Sequence, residues 1–265
     1  MSSVFFLYLV HFGLGLLATL YFVPERAGLK YFKLCSAISA FMMTAGVYLA
    51  WRRFGLGGGP GAPGAERYPA VLACAAAGLA FCVLYNRAAH FGWRRLRVPL
   101  LSASLLAGLA SVLLAPPLGR LALAATDLTS ILLLGAAAGA MILGHFYLVV
   151  IDLPIQALRR LTVLLMLALG LRAVVVLVLL FGPVAGGLED ARRVAAGLWS
   201  PDGVFVWMRV LFGIAGPASL SWFIWKTVEI RSTQSATGIL YVQLFLVMSG
   251  ELLAKYLRVA AGLPL

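Results

Sequence analysis

Eight long apolar runs, at about 3–23, 31–51, 68–88, 98–116, 128–150, 161–182, 203–225 and 237–257, set the terms on which this chain can fold. A helix needs about 20 apolar residues to cross a hydrocarbon layer about 30 Å thick. Inside that layer every backbone N–H and C=O must find a partner within the protein, which leaves only helices and closed barrels. Barrel strands alternate polar and apolar residues, whereas these runs are continuous. The expectation is an all-α integral membrane protein with about eight transmembrane helices. Composition excludes the soluble alternative: 63% of residues are hydrophobic and only 11% charged, against about 25% charged in soluble domains. So few charges cannot cover the surface of a water-soluble domain. The first run has no basic leader and no small-residue cleavage motif, so it reads as a retained helix, not a signal peptide. Pro and Gly fill the gaps, as in Pro24, the GLGGGPGAPG tract at 55–64, Pro116-Pro117, Pro154 and Gly182-Pro183. The runs divide into two four-helix units, 1–116 and 117–265.

The chain has 21 Lys and Arg against 9 Asp and Glu, a formal net charge of +12. These cations fall mainly between apolar runs, where they fix topology and meet anionic lipid headgroups. Membrane lipids are therefore the expected partners of the charge, and nucleic acid is not. An even number of spans puts both termini on one side. The loops between runs 1–2, 3–4, 5–6 and 7–8 hold 11 Lys and Arg, and the terminal side holds 8, with Lys255 and Arg258 counted there. The positive-inside rule then places both termini outside, in a bacterial cytoplasmic (inner) membrane. Residues 17–38 and 143–165 share a pattern of helix end, Pro-containing turn, basic cluster and new helix, which hints at an internal duplication. Cys35, Cys74 and Cys82 form no CxxC pair and sit in apolar runs, as packing thiols do.

A charge kept inside a bilayer is costly, so the polar residues within the runs carry the functional information. They are His11, His145, Arg172, Arg209, Glu251 and Lys255, with Tyr8, Tyr147, Gln243 and Ser249 as milder members. Counting depth from the span ends puts His11, Arg172, Arg209 and Glu251 in the membrane half nearest the termini, and His145 at the opposite face. Each has a bland reading: Glu251 and Lys255 at i, i+4 neutralise one another, Arg209 snorkels to the interface, and Arg172 needs a carboxylate such as Glu251. The functional reading is a polar pocket lined by His11, Arg172, Arg209 and Glu251, with Tyr8, Lys255 and His145 in support. Such a pocket suits a quinone headgroup, whose carbonyls need donors and whose reduction needs protons that a His and a carboxylate can supply. Bis-His haem b is the competing cofactor, but His11 and His145 stand at opposite depths. No zinc, iron–sulfur or phosphate-loop motif is present, and no internal break shows in the spans.

The C-terminal stretch LFLVMSGELLAKYLRVAAGLPL (244–265) resembles the last helix of the NrfD/DmsC/PsrC-type membrane anchors, which end in a similar small-residue, Gly-Glu-Leu-Leu, basic, aromatic pattern. WMRVLFGIAGPASLSWFIW (207–225) is similar to the Gly-containing seventh helix of that family, and LYLVHFGLGLLATLYFV (7–23) to its Gly-rich first helix. GHFYLVVIDLP (144–154) departs from the pattern. The resemblance implies two four-helix bundles, a quinol site near the face where an iron–sulfur subunit docks, His11 as the first-helix histidine and Glu251 as the last-helix carboxylate. The resulting expectation is a quinone/quinol-interacting membrane anchor, passing electrons between the quinone pool (menaquinone or ubiquinone) and an extrinsic iron–sulfur or cytochrome subunit. That partner is expected on the side of the termini, beside the long gaps at 52–67 and 182–203. On this reading the chain is not a catalyst alone. The alternatives are a small transporter or proton-path protein using the same charges, a haem b subunit, or a purely structural anchor.

Overall fold

In a computed structural model the described residues are 2–54, 67–115, 121–150, 153–182, 198–199 and 203–260. Both long gaps on the terminal side lie largely outside them. Every described regular element is helical: α1 (Ser2–Thr19), a 3-10 turn (Glu25–Ala27), α2 (Leu29–Phe54), α3 (Tyr68–His90), α4 (Arg94–Leu114), α5 (Leu121–Val149), α6 (Gln156–Phe181), α7 (Gly203–Val210), a π-helical turn (Leu211–Ala215), α8 (Gly216–Glu229) and α9 (Thr233–Ala260). Among the described residues seven segments are long and apolar enough to cross a membrane, with α7, the π turn and α8 forming one of them, and α1 is a shorter apolar helix. The chain is thus an all-α membrane-type protein.

Neighbour contacts close two rings. In one, α1 packs on α2, α2 on α3, α3 on α4, and α4 returns to α1; in the other, α5 packs on α6, α6 on α8, α8 on α9, and α9 returns to α5. The rings meet where α1 lies against α5 and α9. Lipid offers no hydrophobic drive for helices to associate, so close backbone approach must supply the packing energy. At this seam it does. A Cβ on Gly15 would fall on the Ile131 carbonyl oxygen and 2.8 Å from the Gly135 nitrogen, and Gly139 faces Thr19. The sequence Gly135-Ala-Ala-Ala-Gly139 therefore makes α5 the most enclosed span, with 72% of its apolar window buried.

Two boundaries differ from the sequence reading. The fifth span begins at Leu121, not near 128, which carries Thr126 and Asp127 into the helix. The seventh span is interrupted. Pro217 has no N–H to give the Gly213 carbonyl four residues back, and a proline ring crowds that carbonyl. The helix widens there instead, with the Gly216 N–H donating to the Leu211 carbonyl five residues earlier. Apolar composition masks a break of this kind, which is set by one proline.

Candidate functional site

Five of these helices bring charged side chains together in the half of the bundle nearest the termini. Glu251 on α9 is fully buried and sits between three cations. Arg172 on α6 grips it with a two-pronged contact, Nε to Oε1 at 2.9 Å and Nη2 to Oε2 at 3.2 Å. Arg209 at the end of α7 donates Nη2 to Oε1 at 2.8 Å, and Lys255, one turn along α9, donates to Oε2 at 3.3 Å. Arg172 uses its remaining nitrogen on the Thr126 carbonyl at 3.1 Å and Thr129 Oγ1 at 3.4 Å, both on α5. Arg209 does not snorkel: it is fully enclosed, and its guanidinium occupies the notch left by Gly213 and Gly250, where a Cβ on Gly213 would collide with Nη1. The π turn and these two glycines make room for the charge.

A second group continues the chain of contacts toward the terminal side. Lys255 Nζ donates to Ser130 Oγ at 2.6 Å, and Ser130 Oγ lies 3.3 Å from His11 Nδ1. An ammonium can only donate, so Ser130 accepts from it. Its own hydrogen is left for His11 or for the nearby Glu251 carboxylate. When that hydrogen goes to His11 Nδ1, the neutral imidazole carries its hydrogen on Nε2. That nitrogen faces Asp127 Oδ1 at 3.8 Å, too long for a hydrogen bond. Asp127 in turn accepts from Arg258 Nη1, which is 16% exposed and forms the outer end of the network.

The structure thus brings His11, Arg172, Arg209, Glu251 and Lys255 into one network. Tyr8, one turn before His11, is buried within electrostatic reach of Glu251. His145 is not part of it. Its Nδ1 meets Tyr241 Oη at 3.1 Å, fifteen residues along α5 from Ser130, or about 22 Å at the helical rise. The two histidines therefore do not converge on one haem. Sequence reasoning missed Asp127, Ser130 and Arg258. A signal for two of them was present in ATDLTS, where Thr126, Asp127, Thr129 and Ser130 recur at helical spacing just ahead of the glycine seam.

Compared with known proteins, the chain matches no family model, no curated protein and no solved structure.

The described part of the network is rich in cations. Among the described residues Arg172, Arg209, Lys255 and Arg258 face Glu251 and Asp127, four cations against two carboxylates. Arg209 Nε and Nη1, His11 Nε2 and Asp127 Oδ2 are enclosed without a hydrogen-bond partner among the described residues. Unmet buried polar atoms call for an explanation: the arginine and histidine nitrogens want an acceptor, and Asp127 Oδ2 wants a donor. Along the outer side of α1, α7 and α9, at the depth of these residues, runs an apolar groove of about 390 Å³ lined by Phe5, Phe205, Met208, Phe212, Leu252 and Tyr256 among others. Phe5 and Phe212 are 42% and 38% exposed, so this groove faces the space that lipid fills. The network supplies donors and protonatable groups, and the groove supplies an apolar bed on the same helices.

Proposed function

We propose that this chain is the quinone-interacting membrane subunit of a multi-subunit oxidoreductase of a bacterial inner membrane, with menaquinone or ubiquinone as its mobile ligand. The observation that carries the reading is the buried network around Glu251, with its unmet donors, next to a lipid-facing apolar groove. When bound, a quinone supplies two-electron, two-proton redox chemistry. The chain's own residues do the rest. The groove takes the apolar tail, and Arg209, enclosed beside the groove residue Met208, would reach a headgroup oxygen by turning out of the Gly213–Gly250 notch. Glu251 holds Arg172, Arg209 and Lys255 in place. Asp127, His11 and Ser130 are groups able to hold a proton on the way from the terminal side, where Arg258 reaches the surface, and passing it on would need the 3.8 Å between His11 and Asp127 to close. The redox centres belong to an extrinsic iron–sulfur or cytochrome partner docked on that same side, where Trp199 is 84% exposed.

A photoactivatable quinone analogue tests this. It should label α1, α7 or α9 in detergent-solubilised protein, excess unlabelled quinone should suppress the labelling, and Arg209→Gln should weaken it. Labelling spread over lipid-facing helices such as α4, insensitive to competitor, would overturn the reading. One observation favours a second reading, a transporter or proton path: the π turn beside Arg209 interrupts a span, as broken helices do in transporters. Proton uptake by sealed proteoliposomes carrying the chain alone, without quinone or partner, would favour that reading.

A further inference from the structure

At the opposite end of the bundle the loops joining α1 to α2, α5 to α6 and α8 to α9 surround two adjoining open cavities of about 580 and 540 Å³. Pro154 and Gln156 form the wall they share. The first presents Arg26 and Arg160, and the second Arg231 with the amide of Gln234. All three arginines are exposed. The one carboxylate lining either cavity among the described residues, Glu25, lies 4.0 Å from Arg97. The wall is built firmly: Tyr147 Oη donates to the Pro154 carbonyl at 2.6 Å and accepts from the Leu158 N–H at 3.4 Å.

Two further observations say what occupies this place. Arg231 has φ of +59°, the left-handed conformation that caps helix ends and that glycine or asparagine adopts far more readily. A large cation is held there in spite of the backbone strain, and an outlier of this kind points to a function. Beside the cavities Arg159 lies over the Trp225 ring at 5.0 Å and Lys226 over Trp222 at 5.2 Å. Tryptophans carrying cations in this way mark the headgroup level of a bilayer. The cavities therefore open where phospholipid phosphates lie.

We propose that Arg26, Arg160 and Arg231, arranged around the Pro154–Gln156 wall, form a binding site for the phosphate headgroup of an anionic phospholipid. Phosphate oxygens accept from planar guanidinium forks, and Gln156 and Gln234 offer neutral donors at the rim. The site is separate from the network around Glu251 and does not depend on its function.

The test is a native mass-spectrometric titration of delipidated protein with phosphatidylglycerol, phosphatidylcholine and inorganic phosphate. Phosphatidylglycerol should bind in preference to phosphatidylcholine, and inorganic phosphate should not displace it. Replacing the three arginines (R26Q/R160Q/R231G) should weaken phosphatidylglycerol on the order of 100-fold, from several-fold per cation at a membrane surface. The control R87Q/R94Q/R95Q removes the same charge from the same face outside the cavities and should retain most of the binding. Arg231→Gly alone relieves the backbone, so it should raise Tm while lowering lipid affinity, a combination that a merely structural cap would not give. Equal loss in the control, equal binding of phosphatidylcholine, or displacement by inorganic phosphate would each overturn the proposal.

Discussion

The two ends of this bundle handle charge in opposite ways. At the terminal side Arg172, Arg209 and Glu251 are fully buried, Lys255 is 4% exposed, and every one is engaged with an opposite charge. Among the described residues at the other end the pairs are looser: Lys226 and Glu229 are 53% and 46% exposed at 3.1 Å, and Glu25, 68% exposed, lies 4.0 Å from the 15% exposed Arg97. Pairs of the second kind contribute about 0–1 kcal/mol, because water and side-chain entropy offset the attraction. In the first kind, losing one partner leaves the rest desolvated and uncompensated, at about 3–5 kcal/mol. Burial, not residue type, decides which charges hold the molecule together and which are free to meet lipid.

Replacing Glu251 breaks this contrast most severely. Glu251→Leu removes the carboxylate that three enclosed cations share and should destabilise the protein by about 3–5 kcal/mol, seen as loss of monodisperse protein after solubilisation. Gly135→Val attacks the seam between the rings without touching charge. The Cβ alone would collide with the Gly15 carbonyl carbon, so the two helices must part, and overpacking costs about 1–3 kcal/mol or somewhat more, readable as a lower Tm in detergent. Arg258→Gln takes the cation from the buried Asp127 and leaves it a weaker, neutral donor, which should cost about 1.5–3 kcal/mol. Lys226→Gln, at the wet end, should stay within about 0.5 kcal/mol of the parent. If Lys226→Gln lowered Tm as far as Glu251→Leu, the contrast between the ends would be wrong.

The sequence made some of this arrangement readable and hid the rest. Depth counting alone placed His11, Arg172, Arg209 and Glu251 in one half of the membrane, because a helix rises a fixed distance per residue. It placed His145 at the other face by the same arithmetic. Asp127 was hidden because a carboxylate at the head of an apolar run resembles a loop residue, and its partners, Arg258 on α9 and His11 on α1, are distant in sequence. The π turn was hidden because its cause, Pro217, sits inside an otherwise apolar span. The Gly213–Gly250 notch follows from how α9 crosses that turn, a tertiary fact that no periodicity records. The lipid-facing groove was unreadable for the same reason, since its walls come from three separate helices.

The claim that the buried network serves quinone chemistry is tested most directly by two rates in membranes holding equal amounts of assembled complex. One is turnover linked to quinone, and the other is electron transfer between the partner and a soluble dye that bypasses the membrane subunit. His11→Ala is the decisive variant, because the imidazole stands between Ser130 (3.3 Å) and Asp127 (3.8 Å) without holding the ion cluster together. Quinone-linked turnover should fall tenfold or more, a barrier increase of about 1.4 kcal/mol or greater, while the dye-linked rate stays at the parent level. Unchanged quinone-linked turnover in His11→Ala would contradict the account and leave the network as structural packing alone.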